Sequence, residues 1–282
     1  MNSFFPDEEL QKNYYGKDLA AKSAWYSQVA LAYNQVRPRY SDRLIDSAIK
    51  YAQLPDRAAI LEIGCGPGIA TVSLARRGFR VLGLEPSLAA CEIARNSCVD
   101  YPDVEICQTT LEEWSVKPQR FDAVLAATSL HWVSPKIGYP KIAQALKPSG
   151  SLILLWNAGL RPDAAIYQLL EPIYQQFAPT LKPVIPQNEE QLALEAIGQT
   201  VSNSGYFQQI ASQQLTIAVN YSLTDYLLLL STYSPYIALE TAQRQRLFTA
   251  ITESLQKISH DSLSLSYLSL LQVFKLRQGA KD

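Results

Sequence analysis

Short apolar runs alternate with amphipathic segments between residues 58 and 157 of the 282-residue chain. The runs predict five strands, at Ala59–Ile63, Arg80–Leu84, Val104–Cys107, Phe121–Ala127 and Ser151–Trp156. The last of these runs is apolar throughout, which is typical of a strand covered on both faces. Strands that alternate with helices indicate a parallel sheet built from βαβ units. We therefore predict an α/β fold with helices on both faces of the sheet.

The segment before the first strand is predicted to be helical. Apolar and aromatic residues recur there with the spacing of one helix, at Trp25, Val29, Tyr33 and Val36. Ser41 is expected to cap a second helix. Farther along the chain, the helix between the fourth and fifth strands is expected to carry Pro140 in its first turn, where a missing N–H costs little.

The pattern changes after residue 157. Helices are predicted within residues 160–205 and 223–259, and strands over Phe207–Val219 and in the final stretch from Leu263. We predict three parts without a flexible linker between them. They are a helical cover at residues 1–57, a ligand-binding core at 58–157, and the rest of the sheet with inserted helical segments at 158–282.

A glycine-rich turn follows the first predicted strand. Gly64, Gly66 and Gly68 occupy alternate positions, and a helical segment begins directly after them. Such a turn directs backbone N–H groups at one point and lets a ligand approach the backbone closely. Glu62 precedes the turn, and Glu85 ends the second strand, where a carboxylate can accept hydrogen bonds from ribose hydroxyls. These features predict an adenosine-containing ligand.

The glycine spacing distinguishes two such ligands. A dinucleotide-binding turn has the pattern G-x-G-x-x-G, whereas Ile69 stands where its third glycine would be. Glu62, two residues before the first glycine, is also outside that pattern. The spacing therefore argues against a nicotinamide-dependent oxidoreductase, although Glu85 fits both ligands.

Charge and composition restrict the partners and the compartment. The chain has 25 basic and 26 acidic residues, so nothing attracts it to nucleic acid or to an anionic membrane, and an RNA substrate is disfavoured. No apolar segment is long enough to span a bilayer, and the start lacks a signal-peptide pattern. Four cysteines without C-x-x-C spacing and two histidines, His131 and His260, predict no metal site. We expect a cytoplasmic protein with free thiols.

The segment Leu61–Gly68 resembles motif I of class I S-adenosylmethionine-dependent methyltransferases. Further stretches resemble that family in the same order, at Val81–Ser87, Gln108–Glu113, Phe121–Trp132 and Leu146–Trp156. Two short segments, Val36–Pro38 and Thr128–Trp132, are similar to the trans-aconitate methyltransferase-like (methyltransferase type 11 domain) subgroup. The resemblance covers about residues 33–157.

The resemblance implies a Rossmann-like, mostly parallel sheet of seven strands, with a late antiparallel strand inserted at its edge. It also implies S-adenosyl-L-methionine as the cofactor, which is released as S-adenosyl-L-homocysteine. The backbone of Gly64–Gly68 would face the methionine portion, Glu62 would fix its ammonium group, and Glu85 would hold the ribose. The other implied cofactor contacts are Arg37, Pro86, Thr110, Leu111, Ala126 and Ala127.

Within these contacts, Pro86 and Leu111 would enclose the adenine, while Ala126 and Ala127 would lie near the sulfonium. Arg37 would pair with the cofactor carboxylate. Many relatives carry an acidic residue around position 110. In this chain a threonine hydroxyl would accept the hydrogen bond from the adenine amino group instead.

Candidate catalytic and acceptor-binding residues are aromatic. His131 is the one histidine near the expected crevice, and its ordinary pKa suits a general base, although packing beside Trp132 is an alternative role. Four tyrosines are candidates for the acceptor pocket, namely Tyr33, Tyr40, Tyr233 and Tyr236. We predict a methyltransferase acting on a small molecule, with a carboxylate or hydroxyl acceptor. The alternative is an adenosyl-binding protein without methyl transfer.

Overall fold

The computed structural model describes residues 19–181, 186–257 and 262–277. Its strands are β1 (Ala59–Ile63), β2 (Arg80–Glu85), β3 (Val104–Gln108), β4 (Phe121–Ala127), β5 (Leu146–Asn157), β6 (Arg161–Pro162), β7 (Phe207–Tyr221) and β8 (Leu263–Leu276). Its helices are α1 (Leu19–Ser27), α2 (Ala30–Val36), α3 (Asp42–Ala52), α4 (Ile69–Ala75), α5 (Leu88–Ser97), α6 (Pro135–Ala145), α7 (Ala164–Phe177), α8 (Gln187–Asn203), α9 (Leu223–Ser231), α10 (Ser234–Ile237) and α11 (Thr241–Leu255).

The strands form one mixed sheet in the order β3-β2-β1-β4-β5-β8-β7. Strands β1 to β5 are parallel, whereas β8 runs antiparallel between β5 and β7. The two-residue strand β6 also pairs with β8. The α/β class, the mostly parallel sheet and the inserted antiparallel strand are confirmed, with β6 as an eighth, short strand beyond the predicted seven.

Apolar residues cover both faces of the sheet because successive side chains of a strand point to opposite faces. In β4, Ala123 and Leu125 pack in one buried cluster, which includes residues of α3 and α4. Val124 and Ala126 pack in the other cluster, which includes residues of α6 and α7. The sheet is therefore enclosed between two helical layers, and its strand ends are left as the place for a site.

The N-terminal helix differs from its prediction. The stripe from Trp25 to Val36 is divided between α1 and α2, because the chain turns at Val29, whose N–H donates to Tyr26 O at 3.0 Å. Ser41 does occupy the N-cap of α3, yet its carbonyl rather than its side chain accepts the first helical N–H groups. The break in the stripe lets α1 and α2 lie separately over the strand ends.

The predicted helix start at Pro140 is wrong, because Pro135 occupies the first turn of α6 and Pro140 lies inside the helix. Strand β5 begins at Leu146, five residues earlier than predicted, with an irregular register opposite β4. Across residues 19–181, 186–257 and 262–277, none of the helices has the length and hydropathy needed to cross a membrane. His260 lies outside the described residues.

Candidate functional site

A cleft lies at the carboxyl ends of β1, β2 and β4 and is covered by α1, α2 and the connection between α9 and α10. Parallel strands bring their carboxyl ends to one edge of a sheet, where α/β proteins bind ligands. The cleft brings together most of the predicted site residues, which are Tyr33, Arg37, Tyr40, Glu62, Gly64, Gly66, Glu85, Pro86, Thr110, Leu111, Ala127, His131 and Tyr233.

The glycine turn forms the floor of this cleft. Gly64 and Gly66 have φ angles of +62° and +55°, a region that disfavours a residue with a side chain. A Cβ atom on Gly64 would lie 2.8 Å from the Cβ of Ser129, whose hydroxyl donates to the carbonyl of Ile63. A Cβ atom on Gly66 would meet no protein atom within 4 Å. The turn is thus closed beneath Gly64 and open above Gly66, as a backbone cradle for a ligand requires.

Two buried carboxyl groups flank the turn. Glu62 accepts a hydrogen bond from the Thr71 hydroxyl at 2.6 Å, and burial raises its pKa to about 8. Glu85 accepts from the backbone N–H groups of Gly66 at 3.0 Å and Ser87 at 2.8 Å, and burial raises its pKa to about 7. A carboxylate has about four lone-pair positions, so Glu85 retains capacity for ligand hydroxyls. A cation in the cleft would favour the ionised form of both groups.

The loop after β3 forms the far wall beside Glu85. Thr110 is buried, and its hydroxyl oxygen accepts from the N–H of Glu113 at 3.2 Å. The ammonium group of Lys141 donates to three carbonyls of this loop, those of Leu111, Glu112 and Trp114. Lys141, on α6, therefore fixes the loop that carries Thr110 and Leu111.

Thr128, at the end of β4, has a φ angle of +55°, which is unfavourable for a β-branched residue. Its N–H donates to Leu155 O at 2.7 Å, and its hydroxyl oxygen accepts from the N–H of Asn157 at 3.2 Å. The same hydroxyl lies 2.7 Å from the buried Tyr40 hydroxyl. Asn157 also donates to the carbonyl of Pro38 at 3.2 Å. This network holds the segment after α2 against the strand ends.

Arg37 connects the two parts of the cover. Its Nε donates to Thr232 Oγ1 at 2.8 Å and its Nη2 to Thr232 O at 2.9 Å. The guanidinium carbon lies 4.7 Å from the centroid of the Tyr33 ring and 4.1 Å from that of Tyr233, within the range of cation–π contacts. Arg37 thus joins α2 to the end of α9 while facing the cleft.

His131 lies in a short 3₁₀ turn after β4 and contacts two indole rings. The ring centroids are 5.0 Å from Trp132 and 5.7 Å from Trp156. Burial lowers the pKa of His131 to about 3, and the charge of Arg37 acts in the same direction. The imidazole is therefore neutral at physiological pH, in which state one ring nitrogen can accept a hydrogen bond, but so low a pKa makes it a weak general base.

Helix α1 covers the cleft through polar contacts that the sequence pattern did not reveal. The buried Lys22 forms an ion pair with Glu112 at 3.4 Å, and the hydroxyls of Tyr26 and Ser234 lie 2.7 Å apart. Ser27, at the end of the helix, shares a hydrogen bond with the N-cap residue of α5. Residues 22, 26 and 234 line the cleft. A helical stripe carries no signal for such distant polar contacts.

Three predicted site residues lie outside the cleft lining. Gly68 is the N-cap residue of α4. A Cβ atom on Gly68 would lie 3.3 Å from Ala94 Cα, so the glycine allows close helix packing. Ala126 is fully buried in the core below the strand ends. Tyr236 is buried with its hydroxyl bonded to Tyr174.

Thr128, Ser129 and Asn157 line the cleft but received no role from sequence reasoning. The signal available for them was a polar residue directly after an apolar strand, the same signal that identified Glu85.

Comparison with known proteins agrees with this geometry. The family model described as a methyltransferase domain matches residues 60–150, from β1 into β5. This range contains the glycine turn, Glu85 and the strained Thr128. The matched region therefore resembles a methyltransferase domain in sequence. The residues on either side of the matched region build the cover of the cleft.

Individual relatives match the same region. An uncharacterized methyltransferase of Mycobacterium tuberculosis is 32% identical over 126 residues, which are 45% of this chain and 49% of that protein. A ubiquinone biosynthesis O-methyltransferase of Alkalilimnicola ehrlichii is 37% identical over 119 residues, 41% of this chain and 47% of that protein. The chain thus spans about half the length of the relatives it matches.

Solved structures share the fold over a larger part of the chain. A candidate type II methyltransferase from Anaeromyxobacter dehalogenans aligns with a TM-score of 0.60 and 20% identity, over 84% of this chain and 97% of that one. The [4+2]-cyclase SpnF aligns with a TM-score of 0.56 and 18% identity, over 92% and 97% of the two chains. At these identities the likeness establishes the fold.

Proposed function

We propose that the protein transfers a methyl group from S-adenosylmethionine to a small-molecule acceptor. The observation that carries the proposal is the two-ended cleft. One end has the glycine turn, Glu85 and the loop of Thr110, and the other has His131 and a set of tyrosines. Two ligands, one bound at each end, would meet above the end of β4, near Ala127.

The residues of the first end fit an adenosyl ligand. The open space above Gly66 suits a ligand that approaches the backbone, and the carboxylate of Glu85 suits ribose hydroxyls. Pro86 and Leu111 offer apolar surface for the adenine, while the Thr110 hydroxyl can meet its edge. Glu62 would bind the ammonium group of the methionine portion. S-adenosylmethionine would supply a methyl group bonded to a sulfonium. The thioether formed when this methyl group is transferred is a good leaving group.

The residues of the second end would orient the acceptor and exclude water. The cover formed by α1, α2 and the α9–α10 connection encloses the reacting groups, and orientation supplies much of the rate for a displacement of this kind. His131 can orient a hydroxyl acceptor through a hydrogen bond, but a pKa of about 3 makes it a weak base, whereas a carboxylate acceptor needs no base. We propose an oxygen acceptor, bound by Tyr33, Tyr40 and Tyr233, in a cytoplasmic enzyme of the trans-aconitate methyltransferase-like subgroup.

Calorimetry with S-adenosylhomocysteine tests the first half of the proposal. We expect binding by the wild-type protein and at least a tenfold weaker affinity for Glu85→Ala, because the variant loses a charged hydrogen-bond acceptor. Glu105→Ala, at an exposed position of the adjacent strand β3, is the matched control and should bind like the wild type. No binding by wild type, or undiminished binding by Glu85→Ala, would contradict the cofactor site.

Turnover against a mixed library of small hydroxyl and carboxylate acceptors tests the second half. Formation of S-adenosylhomocysteine that depends on an acceptor supports methyl transfer. Binding of the cofactor without turnover by any acceptor would favour the alternative, an adenosyl-binding protein that does not transfer a methyl group.

A further inference from the structure

We propose that the outer edge of β7 forms an antiparallel pair with β7 of a second copy of this chain. Among the described residues, β8 is the one strand that pairs with β7, and it occupies the inner edge. No described strand uses the backbone N–H and C=O groups of the outer edge, so these groups can pair with another strand. The two sheets would then continue into one another across a two-fold axis.

The length and regularity of this edge favour pairing. Strand β7 has fifteen residues, whereas strands of globular proteins are typically about 5–6 residues long. Its register with β8 is irregular once, between Gln209 and Ala211. From Ala211 to Tyr221 the register continues without interruption, so eleven consecutive residues present an edge without a bulge. A bulge near one end leaves most of the edge able to accept a strand.

The residues of β7 lack two of the features that normally protect an edge. Natural proteins prevent edge pairing with charged residues, proline, bulges or a covering element. The sequence of Phe207–Tyr221, FQQIASQQLTIAVNY, has no charged residue and no proline. An uncharged strand can face a copy of itself without like-charge repulsion, and the net charge of the whole chain is only −1.

The side chains of β7 supply an apolar contact for the same partner. Leu215, Ile217 and Val219 lie on one face, half-buried against the two core clusters. In an antiparallel pair, the corresponding row of the second copy continues this face and covers the exposed part of each side chain. On the other face, Ser212 and Gln214 are exposed and polar.

Because the same strand contributes from both copies, the contact is isologous, and the assembly is complete with two chains. Thr216 is the middle residue of the uninterrupted stretch from Ala211 to Tyr221, so the two-fold axis lies near it and Leu215 of one copy faces Ile217 of the other. A peptide from a different protein would have to match the same uncharged edge, whereas a second copy matches it by construction. The occupant is therefore a second copy.

Sedimentation and light scattering of the full chain test the proposal. We expect the wild-type protein to have twice the chain mass of 31.4 kDa. Gln214 and Ala218 are exposed and face each other across the axis, so the double variant Gln214→Lys/Ala218→Lys places like charges together and should raise the dimer dissociation constant at least tenfold. Gln214→Glu/Ala218→Glu should do the same, and an equimolar mixture of the two double variants should form the dimer again.

The control variant is Asn96→Lys/Val99→Lys, which adds two positive charges at exposed positions. Asn96 lies in the last turn of α5 and Val99 just after it, next to β3 at the opposite edge of the sheet. The control variant should dimerise like the wild type. Circular dichroism shows whether each variant is folded. A monomeric wild type, a Lys double variant that dimerises normally, or a series of larger oligomers would each overturn the proposal.

Discussion

The two ends of the cleft are built in different ways. At the cofactor end, the functional groups are held by neighbours at adjacent strand ends, as when Gly66 and Ser87 donate to Glu85. At the acceptor end, the cover is held by side chains distant in sequence. Arg37 contacts Thr232 across 195 positions, and Tyr26 contacts Ser234 across 208. The first end is therefore held by local contacts, whereas the second depends on tertiary contacts between segments distant in the chain.

The largest effect expected from this difference is at Gly64. In Gly64→Ala the new methyl group would lie 2.8 Å from Ser129 Cβ, at a φ of +62°. Backbone strain of this kind costs about 1–3 kcal/mol, and the contact adds to it, because the turn cannot move without disturbing β1 and β4. We expect a lower unfolding free energy and at least a hundredfold loss of S-adenosylhomocysteine affinity, measured by denaturation and calorimetry.

Gly78→Ala is the matched control for this prediction. Gly78 also has a positive φ, +79°, but a Cβ there would meet no atom within 4 Å, and the residue lies outside the cleft lining. The control should lose stability through strain alone and keep its ligand affinity. Equal effects of the two variants on affinity would contradict a rigid, sterically defined cofactor end.

The second effect concerns the cover. Arg37→Met removes two charged hydrogen bonds to Thr232 and two cation–π contacts. We expect a loss of about 1.5–3 kcal/mol in unfolding free energy, as for hydrogen bonds from charged groups. Faster amide exchange should be confined to α2 and the α9–α10 connection.

Arg39→Met is the control for the cover. Arg39 is exposed, and its guanidinium group donates to Asn34, five positions earlier in the chain. Its exchange pattern should match that of the wild type. Faster exchange spread evenly over the sheet in Arg37→Met would show that the cover and the core are one cooperative unit, against the proposed difference.

The contrast between the two ends also explains what the sequence could predict. Strands β1 and β4 were predicted with their observed bounds, because an apolar run with polar flanks is a local signal. The glycine turn and Glu85 are local signals too. The contacts of Lys22, Arg37 and Tyr26 with residues about 90 to 208 positions away depend on tertiary packing. No periodicity along the chain encodes them, so the sequence predicted only His131 and a set of tyrosines at the acceptor end.

The third effect is a pH dependence of stability that belongs to the cofactor end. Burial raises the pKa of Glu62 to about 8, whereas the carboxyl group of an unfolded chain titrates near 4.5. Between these values the folded protein retains a proton that the unfolded chain releases. The stabilisation is therefore complete below about pH 4.5 and is lost as the pH rises toward 8.

Glu62→Gln removes this titration while leaving an acceptor for Thr71. The melting temperature of the wild type should fall more steeply from pH 5 to pH 8, roughly the interval between the two pKa values, than that of the variant. Glu105→Gln, at an exposed position, should keep the wild-type slope. Parallel profiles for wild type and Glu62→Gln would refute the assignment of the slope to Glu62.

The smallest effect is expected at Lys141, which holds the loop of Thr110 and Leu111 without lining the cleft. Lys141→Met leaves three loop carbonyls without their donor, so the loop gains freedom that ligand binding must remove. Since no ligand contact is lost, we expect S-adenosylhomocysteine affinity to fall only about threefold, an amount consistent with one net hydrogen bond. Lys136→Met, at an exposed position of the same helix, should bind like the wild type, and Lys141→Arg should recover part of the loss. Unchanged affinity in Lys141→Met would mean that the strand end alone fixes the loop. A loss as large as that of Gly64→Ala would mean that the cofactor end also depends on distant side chains.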